Sequence, residues 1–320
     1  MTMATLTLDW NQTPLAECRG GALTIGNFDG VHLGHAALVA EARRQAAAVG
    51  GPAVAMTFDP HPLQILRPQA FQPVLTTTAR RAELLHGCGI DHVLILRTTV
   101  EFLRLRAAEF FEQVVRDRLQ ARVLVEGPNF GFGRNREGDV QMLAALCVTG
   151  GLAFVQVPPL QVAGRPVSSS RVRDALVRGA VAEAALLMGR PYRLRGVVGT
   201  GQKRGRTLGF PTANLEKLET LIPGDGVYAV RVHERGQTWP GAANIGPNPT
   251  FGEQGRKVEA HIIGFAGDLV GQPMDIEFME RLRDTRPFAG VTELVEQLRR
   301  DVEQARKILA EHTEKTEKKS

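Results

Sequence analysis

The feature that most constrains the fold is an alternation of short apolar runs with helical patterns through the first half of the chain. The apolar runs lie at residues 22–25, 53–58, 92–96, 122–125 and 153–157. Between them, apolar residues recur at helical spacing, as in residues 38–49, 79–86, 107–119 and 140–148. This rhythm predicts a Rossmann-like α/β domain, with a parallel sheet covered by helices on both faces. Ligands of such sheets bind at the carboxyl ends of the strands.

The pattern changes after two short helical segments, residues 171–178 and 181–188. Alternating runs then appear at residues 227–233, 258–263 and 274–278, separated by turn-rich segments such as residues 223–226 and 246–249. Short alternating strands without helices between them predict an antiparallel β-barrel. Residues 291–309 carry one apolar stripe, which predicts a long closing helix. We therefore predict two domains, residues 1–188 and residues 189–320, as the length of 320 residues also suggests.

Composition narrows the functional classes. The net charge of +5 comes from 39 basic and 34 acidic residues, and no long basic stripe is present, so no nucleic-acid partner is expected. The three cysteines form no closely spaced pair, which fits a reducing compartment rather than a zinc or redox motif. No apolar run reaches the roughly 20 residues that span a membrane, and no signal peptide is recognised. A cytoplasmic location is expected, and the oligomeric state is left open.

Residues 26–35 (GNFDGVHLGH) stand where the first strand gives way to the first helix. The free N–H groups and the dipole of a helix N-terminus favour an anion, and the three glycines of this segment let a phosphate approach the backbone. His32 and His35 project from the same side of that turn and can donate to phosphate oxygens. No GxxxxGK[ST] motif occurs in the chain, so this predicts a triphosphate site without a Walker lysine. Two other interpretations remain open: ordinary turn histidines, or a metal site with Asp29 as third ligand.

Four motifs in order give a resemblance. Residues 26–35, 57–62 (TFDPHP), 127–134 (GPNFGFGR) and 168–173 (SSSRVR) resemble the FMN adenylyltransferase module of the bacterial bifunctional riboflavin kinase/FMN adenylyltransferase (FAD synthetase) family. The HxGH signature alone is shared with class I tRNA synthetases, whereas four ordered motifs are specific. The resemblance implies that ATP adenylylates FMN, giving FAD and pyrophosphate. Because the FMN phosphate is already ionised, this reaction needs positioning and charge stabilisation rather than a strong base.

The same resemblance implies site residues. His32 and His35 are the implied catalytic residues, and Phe58 and Asp59 are implied to contact the flavin. The implied ATP and phosphate contacts are Gly26, Asn27, Phe28, Asp29, His32, His35, Asn129, Ser168, Ser169, Ser170 and Arg173. The residues themselves also allow a structural interpretation, in which Asp59 is a loop aspartate before proline and the serines only cap a helix.

Residues 199–214 (GTGQKRGRTLGFPTAN) form the second dense stretch, a basic glycine-rich loop that runs into a proline-fixed turn. Such a loop suits phosphate, although an exposed basic loop is the plainer interpretation. Together with residues 244–251 and 258–263, the segment resembles the riboflavin kinase module of the same family. The implied residues are Gly201, Lys203, Gly205, Arg206, Thr212 and Asn214 for ATP, Thr212 and Asn214 for Mg²⁺, Arg286 and Phe288 for the flavin, and Glu259 as the catalytic base.

A base is physically required in this second reaction, because the ribityl hydroxyl of riboflavin is a neutral alcohol. Glu259 matches the family's base, Glu277 is a fallback, and a plain barrel-face glutamate is the structural alternative. Gly264, Val270 and Asn248 depart from the family pattern near loops. The combined prediction is a bifunctional enzyme that phosphorylates riboflavin to FMN and then adenylylates FMN to FAD, using ATP and Mg²⁺. The rivals are a related transferase with another acceptor and a non-catalytic binding protein.

Overall fold

The chain divides into two compact units. The computed structural model describes residues 3–200, 208–248 and 253–317. One unit, the sheet unit, comprises Met1–Gln72 and Thr76–Ser168, and the other, the barrel unit, comprises Pro73–Leu75 and Ser169–Ser320. The domain boundary at residue 188, which we predict from the sequence, stays a prediction.

The sheet unit contains a six-stranded, all-parallel sheet in the order β1-β4-β3-β2-β5-β6. Its strands are β1 (Ala4–Leu8), β2 (Ala22–Ile25), β3 (Ala53–Asp59), β4 (His92–Arg97), β5 (Val123–Glu126) and β6 (Ala153–Gln156), followed by a small hairpin of β7 (Gln161–Val162) and β8 (Arg165–Pro166). Its helices are α1 (Leu33–Val49), α2 (Pro62–Leu66), α3 (Thr78–Gly87), α4 (Ala107–Phe110), which continues as a π-helical segment Phe111–Arg118, and α5 (Val140–Gly150).

Successive residues of the central strands belong to two different hydrophobic clusters, one on each face of the sheet. Leu23 and Met56 belong to the cluster that packs under residues 102–124, whereas Ala22 and Ala55 belong to the cluster that packs under α1 and α3. Each face of the sheet is therefore buried, which is why these strands read as continuous apolar runs. The predicted parallel sheet with helices on both faces is confirmed.

The barrel unit begins with two helices, α6 (Ser169–Val177) and α7 (Val181–Met188). Six antiparallel strands then close into a barrel in the order β10-β13-β12-β11-β14-β9. They are β9 (Tyr192–Gly199), β10 (Thr212–Glu216), β11 (Gly226–Glu234), β12 (Gln237–Asn248), β13 (Glu253–Ile262) and β14 (Pro273–Arg283), and the long helix α8 (Val291–Glu317) follows. Ala305 of α8 packs against Ala229 and Ile263, so the apolar stripe of this helix covers the barrel. The predicted barrel and closing helix are confirmed.

The structure adds strands that the sequence analysis did not predict, namely the edge strand β1 and the barrel strands β9, β10 and β12. A turn at residues 208–209 precedes Pro211, and the chain is a strand from Thr212 onward. The turn expected at residues 246–249 instead lies in β12 as far as Asn248. Proline and glycine interrupt the alternation within β12, yet its neighbours β11 and β13 pair along it and hold it extended. In the described part of the chain, no helix is both long and apolar enough to span a membrane.

Candidate active sites

The loop between β2 and α1 has a backbone that ordinary residues rarely adopt. Phe28 has a φ of 45° and Val31 a φ of 37°, both in the left-handed region, and Gly30 has a φ of 84°. For a β-branched residue such as Val31 this region is an outlier. Both side chains are almost completely buried. Packing therefore holds this loop in a strained shape, and such strain concentrates at functional sites.

Polar contacts fix the same loop from Thr76. The Thr76 N–H and hydroxyl both donate to Asp29 Oδ1, at 3.0 and 3.2 Å, and the Gly30 N–H donates to Thr76 Oγ1 at 3.1 Å. Asp29 is buried, and its carboxylate is engaged within the protein. The structure thus gives Asp29 a structural role, and its predicted phosphate contact stays a prediction. The same geometry disfavours Asp29 as the third ligand of a metal site with the two histidines.

The two histidines meet at the N-terminus of α1. His32 is its N-cap, and its Nδ1 accepts a hydrogen bond from the His35 N–H at 3.3 Å. In the neutral ring, the proton of His32 must then lie on Nε2, which leaves Nε2 as a donor. The two imidazoles stack with centroids 3.6 Å apart, and the rings of Phe28 and His35 form a T-shaped pair with centroids 5.2 Å apart. The helix N-terminus is thus combined with two fixed imidazoles.

A cleft of about 220 Å³ opens at the carboxyl ends of β2, β5 and β6. Among the residues predicted to contact ATP, it is lined by Gly26, Phe28, His32, His35 and Asn129. Asn27 and Asp29 do not line it. Segments that the sequence analysis did not single out complete the wall, namely Glu126 and the residues 157–160 that follow β6. Because the histidines and the helix N-terminus lie at one end of this cleft, it is suited to a phosphorylated ligand.

The predicted flavin contacts lie at the end of β3. Phe58 is half-buried against Phe102, with ring centroids 5.8 Å apart, and Asp59 is exposed. Arg81, which sequence reasoning missed, is buried behind them and donates to Thr57 Oγ1 at 3.0 Å and to the Phe58 carbonyl at 3.3 Å. Burial lowers the pKa of Arg81, and the nearby carboxylates Asp29 and Asp59 oppose that shift. The flavin role of Phe58 and Asp59 stays a prediction.

The serine-rich motif crosses the division between the units. Ser168 is the last residue of the sheet unit, and Ser169 and Ser170 begin α6 of the barrel unit. Arg173, one turn further along α6, donates from Nε to the Pro73 carbonyl at 3.3 Å within the barrel unit. The expected contribution of these four residues to the nucleotide site stays a prediction.

In the barrel unit, strand pairing brings three polar residues to the same level. Asn214 of β10 lies directly opposite Glu259 of β13, and Glu259 lies directly opposite Asn244 of β12. Directly opposed residues of neighbouring strands point to the same face of a sheet. The next residue pairs, such as Leu215 with Val258, are buried in the barrel interior. Asn214, Glu259 and Asn244 therefore lie together on the outer face of the barrel, where Glu259 and Asn214 are half-buried.

Thr212 lies on the same outer face, two residues before Asn214 and opposite His261. It is exposed. His261 is held in place by its Nδ1 contact with the Pro211 carbonyl at 2.9 Å and by a T-shaped ring contact with Phe210, with centroids 5.4 Å apart. The fold thus places Thr212, Asn214 and Glu259 on one continuous surface of β10 and β13, as a shared nucleotide and metal site requires.

The fallback base, Glu277, has a different environment. Its carboxylate accepts hydrogen bonds from Arg193, and His233 Nε2 lies 3.0 Å from its Oε2. Burial alone would raise the pKa of Glu277, but the hydrogen bonds from Arg193 and the adjacent His233 ring outweigh it and hold the pKa below its ordinary value. A carboxylate with a lowered pKa that is already paired is a poor proton acceptor. Glu277 is therefore poorly suited to be the base, and the catalytic role of Glu259 stays a prediction.

The remaining kinase predictions divide into described and undescribed residues. Arg286 stacks over Phe288, with its guanidinium carbon 4.7 Å from the ring centroid, and pairs with Glu293 at 3.1 Å. The two predicted flavin contacts are thus neighbours at the start of α8. Gly201, Lys203, Gly205 and Arg206 lie outside the described residues. Their predicted contacts with ATP are untested.

Comparison with known proteins identifies both halves. A family model described as FAD synthetase matches residues 15–171, and one described as riboflavin kinase matches residues 188–309. The bifunctional riboflavin kinase/FMN adenylyltransferase of Pseudomonas fluorescens is 39% identical over 295 residues, which cover 92% of this chain and 94% of that protein. This chain belongs to the bifunctional riboflavin kinase/FMN adenylyltransferase family. The Escherichia coli K12 member of the family is 35% identical over 91% of this chain and 92% of its own length.

A solved structure is similar to this family member over nearly its whole length. A crystal structure from Streptococcus pneumoniae, named as that of a macrolide-efflux protein, is 32% identical and superposes with a TM-score of 0.85. It covers 94% of this chain and 98% of that one. The likeness supports the two-part fold described above, and the family assignment rests on the family models and on the named relatives.

Proposed function

We propose that this chain makes the flavin cofactors in two ATP-dependent steps. The barrel unit phosphorylates riboflavin to FMN, and the sheet unit adenylylates FMN to FAD with release of pyrophosphate. The observation that carries the proposal is that the two family models match successive halves of the chain, and that each half contains a surface suited to its reaction. ATP is the co-substrate in both steps, and riboflavin, FMN and FAD are the other small molecules bound.

In the adenylylation step, the protein mainly positions and stabilises charge. The start of α1 and the imidazole of His32 line the cleft, and the N–H groups of a helix N-terminus suit the phosphates of ATP. His35, stacked on His32, supplies a second imidazole at the same place. The FMN phosphate attacks as an anion, so this step requires no residue of the cleft to act as a strong base.

In the phosphorylation step, Glu259 is the proposed base. It accepts the proton of the riboflavin hydroxyl as that oxygen attacks the γ-phosphorus of ATP. Asn214, directly across the strand pair, is near enough to bind the nucleotide or its metal in the same site. Arg286 and Phe288 present a stacked cation and ring at the start of α8, and we assign them to the flavin.

Mg²⁺ belongs to the same proposal. The Thr212 hydroxyl, the Asn214 amide oxygen and the neighbouring Glu259 carboxylate are hard oxygen donors on one face, which is the donor set that Mg²⁺ prefers. Thr212 and Asn214 would hold the ion, which would neutralise charge on the phosphates. A cytoplasmic location, expected from the sparse free cysteines, is part of the proposal too.

The test is to incubate the purified chain with riboflavin, ATP and Mg²⁺ and to separate the flavins by chromatography. We expect FMN to appear first and FAD to follow. Starting from FMN instead of riboflavin isolates the second step, and omitting Mg²⁺ should suppress both. Formation of neither FMN nor FAD would reject the proposal, whereas FAD from FMN without FMN from riboflavin would reject only the kinase half.

A further inference from the structure

Glu126 is a buried acid in the wall of the cleft that the sequence analysis did not single out. It is the last residue of β5, it is only 2% exposed, and it lines the cleft. Its Oε1 accepts a hydrogen bond from the Ile25 N–H at 2.6 Å. In the described part of the chain, no cation pairs with it. Desolvation raises the pKa of Glu126 well above its ordinary value, which favours the uncharged form.

The position of Glu126 in the sheet is informative. From β2 the chain continues to β3 on one side of the sheet, and from β5 it continues to β6 on the other side. The crevice between the carboxyl ends of β2 and β5 is therefore the topological switch point, where ligands of open α/β sheets bind. The hydrogen bond from Ile25 to Glu126 spans this crevice directly below the histidine loop.

The chemistry of the carboxyl group follows from that hydrogen bond. In the uncharged form that burial favours, Oε1 accepts from Ile25 as the carbonyl oxygen and Oε2 carries the proton. Oε2 then offers an O–H donor toward the cleft. An uncharged acid kept as a donor in this way does not repel a triphosphate, whereas a carboxylate would.

The surroundings indicate which part of ATP meets this donor. His32 and His35 at the N-terminus of α1 mark the phosphate end of the cleft, while residues 127–130 and 157–160 form an uncharged, largely apolar wall beyond β5 and β6. In the strand order β2-β5-β6, Glu126 at the end of β5 lies between the histidine loop that follows β2 and residues 157–160 that follow β6. It is the one acidic residue of the described lining. A nucleotide with its phosphates at α1 and its base against the apolar wall has its sugar at this position.

We propose that Glu126 is a specificity residue of the adenylylation site, whose carboxyl group hydrogen-bonds a ribose hydroxyl of ATP. This inference rests on the proposed adenylylation of FMN. A site built to hydrogen-bond a hydroxyl rejects the analogue that lacks it, because the buried donor is then left unpaired. The enzyme should therefore distinguish ATP from a deoxynucleotide in the second step.

The experiment measures kcat/KM for the adenylylation of FMN with ATP, with 2′-deoxyATP and with 3′-deoxyATP, which give FAD or its deoxy analogues. For the unchanged enzyme we expect one deoxy analogue to be used at least about fivefold less efficiently than ATP. Glu126→Gln keeps an acceptor for Ile25 and a donor for the sugar, so it should retain that preference. Glu126→Leu removes the donor and should reduce the preference to about onefold.

A matched control is Glu137→Leu. Glu137 also accepts a hydrogen bond from a backbone N–H, that of Ala107 at 2.8 Å, but it does not line the cleft. This control should keep the preference for ATP. A Glu126→Leu enzyme with an unchanged preference would overturn the proposal and leave Glu126 as a link between β2 and β5. If the Glu126→Leu variant does not fold, the unchanged enzyme still tests the proposal. Equal kcat/KM values for ATP and both deoxy analogues would overturn it. Absence of FAD with ATP itself would instead reject the proposed function.

Discussion

The two units bind the same co-substrate with differently built surfaces. In the sheet unit, the proposed phosphate site is one loop and one helix N-terminus, and its distinctive side chains are two imidazoles. In the barrel unit, the proposed site is the outer face of three paired strands, and its distinctive side chain is a half-buried carboxylate. The FMN phosphate is already an anion, whereas the riboflavin hydroxyl must lose a proton during attack. The charge state of the acceptor is therefore the reason why we assign a base to one site and not to the other.

The sharpest way to break this comparison is Glu259→Gln. The amide is nearly isosteric but does not accept a proton, so phosphorylation of riboflavin should fall by roughly 10²- to 10⁴-fold. Conversion of FMN to FAD should be almost unchanged. Both rates are measured on the same preparation, starting from riboflavin or from FMN. Loss of both steps together would contradict the idea that the base serves one site only.

The converse variant is the double substitution His32→Ala with His35→Ala. Removing donors aimed at developing charge should slow adenylylation by about 10²- to 10³-fold, and product should then accumulate as FMN. His32 is also the N-cap of α1, and its loss alone costs about 1 kcal/mol of stability. His32→Asn is the matched control, because it restores a capping oxygen without an imidazole. Recovery of full activity in this control would mean that His32 acts only as a cap.

The two sites also differ in how much of them a sequence reveals. The histidine site is local: residues 26–35 contain the glycines, both histidines and the start of the helix, so helix rules alone indicate an anion site. The parallel sheet is equally readable, because strands buried on both faces give continuous apolar runs. The strained backbone at Phe28 and Val31 has no sequence signal, since packing imposes it against local preference.

The barrel site is non-local. Asn214 and Glu259 are far apart in the chain, and only the antiparallel register of β10 with β13 makes them neighbours. The family resemblance supplied their roles, whereas periodicity supplied only short strands. The sequence alone does not indicate Glu126, because this residue follows a run of apolar residues and belongs to no motif. Its position beside the loop after β2 appears only when β2 and β5 are paired.

A smaller effect is expected from a variant that tests the structural role of Asp29. Thr76→Val removes the hydroxyl that donates to Asp29 and accepts from the Gly30 N–H, while keeping the shape of the side chain. Both partners are buried, so we expect a loss of roughly 1–3 kcal/mol in the free energy of unfolding of the sheet unit. Adenylylation should weaken with it, and the kinase rate should not. Thr76→Ser retains the hydroxyl and should behave like the unchanged protein in the same denaturation and activity measurements.

The smallest expected effect separates the two barrel glutamates. Glu277→Gln leaves an amide oxygen that still accepts from Arg193, so we expect a loss of only about 1 kcal/mol in unfolding free energy at pH 7 and a nearly unchanged kinase rate. The pKa of Glu277 is lowered in the folded protein, so its contribution is fully present above the pKa of the unfolded chain. That contribution disappears as the pH falls through the lowered folded pKa. The stability difference between the two proteins, measured by denaturation at several pH values, should therefore be constant near neutrality and vanish in acid. A large loss of riboflavin phosphorylation in Glu277→Gln, with Glu259→Gln active, would reverse the assignment of the base.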